Sequence, residues 1–86
     1  MIETSEIELT FTEDDDHTEA RAQLSLRGVV FHGFGRARRN PTDANVPVVG
    51  EELAAARALA DLSHKLVEAA AEIISENEGR PARLHV

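Results

Sequence analysis

The chain has 86 residues, 42% of them hydrophobic, with no Cys and a formal net charge of −7. A single domain of this length buries only about 60% of the surface its unfolded form exposes, and without Cys it cannot be stapled by disulfides. The acidic balance disfavours nucleic acid, whose binding rests on a basic footprint and counterion release, and no apolar run approaches the ~18 residues of a membrane span.

From the N-terminus, Glu6–Thr12 alternates Ile7, Leu9 and Phe11 with polar residues, the period-two pattern of a half-buried strand. No basic start leads into an apolar core here, so we expect no signal peptide and a cytoplasmic location. Glu13–Thr18 is a polar turn, and Glu19–Arg27 alternates again, with Ala20, Ala22, Leu24 and Leu26 on one face. Gly28 marks a tight turn into a third strand that runs to Arg38. Pairing the two strands around Arg27-Gly28 sets Leu24 opposite Phe31 and Ala22 opposite Gly33 on the inner face. The same register sets Glu19 opposite Arg36, Arg21 opposite Phe34 and Gln23 opposite His32 on the outer face, and a slip of one residue would spoil both faces.

Arg39–Gly50 contains Pro41 and Pro47 and reads as a crossing loop. From Glu51 the period changes. Leu53, Ala56, Leu59, Ala60, Leu62, Leu66, Val67, Ala70, Ile73 and Ile74 recur at three-four spacing, which predicts a helix to Glu78 that stops at Gly79. Such a helix is roughly 40 Å long and overhangs strands of about 30 Å. The tail, Ala82–Val86, alternates and reads either as a short fourth strand or as a frayed terminus. The predicted fold is α+β: one domain over residues 1–86, a three-stranded antiparallel sheet with one long C-terminal helix on one face. Residues 1–5 and 79–86 are its flexible ends, or 79–86 adds the terminal strand. Gly33, Gly35 and Ala37 lack bulk, so the helix should lie close to the third strand, with Leu24, Phe31, Leu59, Leu62 and Leu66 buried together.

Few residues carry chemistry. Arg36, Arg38 and Arg39 are the densest positive patch, suited to an anion or to a partner's carboxylate. Pairing with Glu19 and its acidic neighbours is the favoured reading, since the chain has 16 acids against 9 Lys and Arg. Asp14, Asp15 and Asp16 lack the spacing of a calcium loop and read as a solvated turn. The four His are scattered without metal-ligand spacing, and Gly33-Phe34-Gly35 lies in a strand rather than in a turn leading into a helix, so we expect neither metal nor cofactor. Ser25, Ser63 and Ser75 sit inside elements without a nucleophile motif, so no catalytic residue is expected. Val30 and Phe34 point away from the helix on an uncovered sheet face, and Ile73 and Ile74 lie on its overhang. These four residues are the candidate oligomer surface, with a dimer favoured.

The string GRARRNP, a short Pro-containing loop and GEELAAARALADL together resemble a small actinobacterial family catalogued as a domain of unknown function. The resemblance covers nearly the whole chain. It implies a two-layer, three-strand-plus-helix fold like that of the double-stranded RNA-binding domain, and it implies no activity. That RNA-binding domain grips RNA through an N-terminal helix, the loop between its first two strands and a Lys-rich start to its last helix. Here there is no room for such a helix before Glu6, the loop is Glu13-Asp14-Asp15-Asp16-His17, and the helix starts Glu51-Glu52. Double-stranded RNA is therefore not the expected ligand. The reading is a self-associating, non-catalytic protein-interaction module with an unknown protein partner. The alternative is an RNA- or nucleotide-associated protein that binds through Arg36–Arg39.

Overall fold

The computed structural model describes residues 1–38 and 47–78. Its elements are β1 (Glu8–Glu13), β2 (His17–Leu26), β3 (Val29–Arg38) and α1 (Pro47–Glu78). The strands form one antiparallel sheet in the order β1-β2-β3, and α1 lies across one face of it, chiefly over β3 and β2. This is the expected β-β-β-α arrangement. Arg39, the Gly79 stop and the Ala82–Val86 segment lie outside the described residues.

The β2–β3 register is the one the alternation predicts: Leu24 pairs with Phe31, Ala22 with Gly33, Arg21 with Phe34, and Glu19 with Arg36. Arg27 (φ 51°) and Gly28 (φ 80°) form the two-residue turn between Leu26 and Val29. Positive φ at both central positions is the turn whose twist matches that of the flanking strands. In the other hairpin, Asp14 Oδ1 accepts hydrogen bonds from the backbone N–H of Asp16 (2.8 Å) and of His17 (2.7 Å), while the Asp14 N–H donates to the His17 carbonyl at 3.0 Å. Those two N–H groups, Asp16 first, hold the Asp14 carboxyl below its ordinary pKa. The acidic run is thus a built turn, and β2 begins at His17, two residues earlier than its alternation suggests.

The helix begins at Pro47, not at Glu51. Pro47 therefore opens the helix rather than belonging to the crossing loop. Its missing N–H is one the first helical turn leaves unpaired in any case, and its fixed φ suits that turn. Gly50 lies within the helix, and packing explains why it is Gly: a Cβ there would lie 2.7 Å from Oγ1 of the buried Thr18. At 32 residues α1 is about 48 Å long, against about 33 Å for a ten-residue strand, so it outruns the sheet.

The core is thin and built of small residues: Ala20, Ala22 and Leu24 from β2, Ala37 from β3, and Ala54, Ala58 and Leu62 from α1, flanked by Phe31 and Leu66. Gly33 and Gly35 face this row. A Cβ on Gly33 would collide with the Ala58 carbonyl and stand 2.7 Å from Leu62 Cβ, and one on Gly35 would collide with the Ala54 carbonyl. The helix backbone thus rests on the strand, as the absence of bulk at these positions predicts. Leu59 does not join this core, contrary to expectation, and remains 38% exposed. Ala54, Ala58, Leu62 and Leu66 follow one another at four-residue intervals along the sheet-facing row, and Leu59, one residue on from Ala58, is carried about 100° round to the flank.

Candidate functional site

The helix dictates what the molecule presents. Between Leu53 and Ile74 its charged and His residues are Arg57, Asp61, His64, Lys65, Glu68 and Glu72. At 100° per residue they occupy a single wedge of about 100°, beside the row that meets the sheet. Nearly half the circumference remains, uncharged and turned away from the sheet. It carries Leu53 (46% exposed), exposed Ala56, Ala60 and Ala70, and half-buried Val67 and Ile74, and Ile73 on its margin is 59% exposed. Most of the stripe that the sequence offers as a core face therefore points outward, because the smaller row of Ala54 and Ala58 takes the contact with Gly33 and Gly35.

The charged wedge has a structural task at the β3 edge. Arg57 Nη1 donates to the Arg36 carbonyl (2.7 Å), the Phe34 N–H donates to Asp61 Oδ2 (2.8 Å), and Lys65 Nζ donates to the His32 carbonyl (2.8 Å). Three helix side chains four residues apart thus cap alternate residues of an edge strand, the groups through which another strand would otherwise add. Lys65 Nζ also lies 3.1 Å from Asp61 Oδ2. The Phe34 N–H first, then Lys65, lowers the Asp61 pKa below its ordinary value. A depressed carboxyl stabilises the fold above its unfolded pKa, and that contribution disappears as pH falls through the folded value. Part of the acid-side fall in melting temperature below about pH 4 is therefore expected to come from Asp61. Melting curves of Asp61→Asn, which keeps an acceptor but does not titrate, should fall less steeply with pH than those of the native protein.

This row also orients the rest of the site. With Arg57, Asp61 and Lys65 over β3, the opposite flank of α1, bearing Leu59, faces β1. A helix about 10 Å wide covers two strands spaced ~4.8 Å apart, not three. Leu9 and Phe11 pair with the core residues Ala22 and Ala20, so they share the helix-side face of the sheet, and Ile7, just before β1, continues the same alternation. Even so, Ile7, Leu9 and Phe11 are 46%, 36% and 38% exposed. Floor and wall form an apolar corner between β1 and α1.

Arg36 lies on the outer sheet face with its Nε 3.6 Å from Glu19 Oε1, while Arg38 is exposed opposite His17. Val30 and Phe34 are exposed on that same outer face, with Arg21 opposite Phe34. A shallow depression lined by Val30, His32, Lys65, Glu68 and Glu72 lies beside β3. Among the described residues no three His, Cys, Asp or Glu gather to hold a metal ion, and no helix is long and apolar enough to cross a membrane. The corner and the capping row were not singled out from sequence. Their signals were the four-residue spacing of Arg57, Asp61 and Lys65, and the arithmetic of one helix over three strands.

Known proteins place this architecture. Uncharacterized protein MT1780 of Mycobacterium tuberculosis is 38% identical over 78 residues, covering 91% of this chain and 83% of that protein. Uncharacterized protein Rv2632c of the same species is 38% identical over 78 residues, covering 91% of this chain and 84% of its own length. The crystal structure of Rv2632c superposes with a TM-score of 0.86 at 37% identity, covering 94% of this chain and 96% of that one. The family model described as Rv2632c-like matches residues 3–83. With sequence and fold in agreement over nearly its whole length, the chain belongs to the Rv2632c-like family, a small family of unknown function.

Proposed function

We propose that this protein is a non-catalytic cytoplasmic interaction module whose first partner is a second copy of itself. One observation carries the reading: between Leu53 and Ile74, nearly half the circumference of α1 is uncharged and faces away from the one sheet formed by the described residues. Contiguous apolar surface on a small, highly charged domain is the mark of an interaction site. Self-association also supplies the burial that so short a chain lacks. Light scattering at ~50 μM, a concentration at which modest interfaces are populated, is expected to return twice the chain mass. A monomeric mass would end the reading.

Binding of RNA or a nucleotide through Arg36–Arg39 is the weaker reading. Arg36 is engaged by Glu19, and Arg38 sits opposite His17 at the acidic turn. Phosphate approaching there meets Asp14, Asp15 and Asp16, and Glu51-Glu52 stands where the RNA-binding domain is Lys-rich. A shared fold would not restore the missing contacts.

A further inference from the structure

We infer that two copies join through the corner between β1 and α1, so that each chain's helix covers the other's β1 and the two helices form one central layer between two sheets. This rests on the self-association proposed above and names its surface. The argument is one of mutual deficit. The sheet has an uncovered strip of Ile7, Leu9 and Phe11, one helix wide, and the helix has an uncovered arc through Leu53, Ala56, Leu59 and Ala60. A two-fold axis lets each copy supply what the other lacks with the same patch, as a symmetric dimer requires.

Three further features select this arrangement. Arg57, Asp61 and Lys65 are engaged over β3, so these charged side chains stay outside the interface, and on the α1 side Glu52, exposed beside Leu53, lies at its N-terminal margin. The other surfaces are worse candidates: the β3 edge is already capped, and burying Phe34 would also bury Arg21, which faces it across the strands. Area is the third. Ile7, Leu9, Phe11, Leu53 and Leu59 are each 36% to 46% exposed, so five large apolar side chains of one corner are open to burial, the kind of contiguous patch that marks an interface. Small side chains at Ala56 and Ala60 allow a second backbone to approach closely, as Ala54 and Ala58 already do for β3.

The test compares the full chain with Ala60→Glu, Phe11→Lys and Phe34→Ser by light scattering and by melting at several concentrations. Ala60 is exposed, and Glu favours helix, so Ala60→Glu keeps the monomer folded even if Phe11→Lys does not. The expected result is a native dimer whose melting temperature rises with concentration, and an Ala60→Glu chain with native helical circular dichroism whose dimer affinity is at least tenfold weaker. Phe11→Lys should behave likewise, and Phe34→Ser should stay dimeric. A dimeric Ala60→Glu overturns the inference, whether or not Phe11→Lys dissociates, since pairing of two β1 edges alone would spare Ala60. Dissociation by Phe34→Ser overturns it in favour of the outer face. A native monomer removes the self-association reading as well and leaves the corner to a different partner.

Discussion

Gly35→Ala is expected to leave most of the protein unfolded. The added Cβ would collide with the Ala54 carbonyl and the Ala58 N–H, and both are backbone, so no rotamer change relieves it. Either α1 lifts from β3 or the strand bows. Overpacking of a rigid contact costs up to about 3 kcal/mol and occasionally more. A domain of this size holds roughly 5–10 kcal/mol in all. Lifting the helix would also break the hydrogen bonds that Arg57, Asp61 and Lys65 make to the β3 edge, so the loss should be cooperative. Urea unfolding followed by circular dichroism measures it. A midpoint equal to that of the native chain would mean that the helix rides higher over β3 than its contacts with Gly33 and Gly35 imply.

Leu62→Ala should cost about 2–5 kcal/mol, the range for a buried Leu whose removal leaves a cavity. At 2% exposure, Leu62 is the more deeply buried of the two Leu, with Leu24, in a core otherwise built of Ala, so little around it can collapse into the space. Leu59→Ala, at a 38% exposed position, provides the contrast. Measured at ~1 μM, where a modest dimer is dissociated, it should lower stability far less than Leu62→Ala. Equal losses from the two substitutions would put Leu59 back in the core.

Much of the fold was legible before any coordinates. Alternation in Glu19–Arg27 and Val29–Arg38, with a turn at Arg27-Gly28, specifies the β2–β3 register, because side chains alternate with period two and a one-residue slip turns every apolar group to the wrong face. The Glu19–Arg36 and Arg21–Phe34 pairs follow from it. The start of the helix was less legible. Pro47 and Gly50 read locally as loop residues, yet both lie in the helix, where position and packing explain them: Pro47 in the first turn, Gly50 against Thr18.

The sequence by itself determined the element order, the hairpin register, the presence of a long helix with a wide apolar stripe and the family to which the chain belongs. Each of these is written in local periodicity or in a contiguous string of residues. Only the tertiary structure decided which side of that helix meets the sheet. Periodicity marks the apolar positions but not the distance at which two elements can pack. Gly33 and Gly35 allow contact at backbone range, and a row of Ala54 and Ala58 exploits that range where Leu53 and Leu59 cannot. The larger residues are therefore turned outward, β1 is left bare, and the surface offered to a partner comes from how closely two elements can approach rather than from their order along the chain.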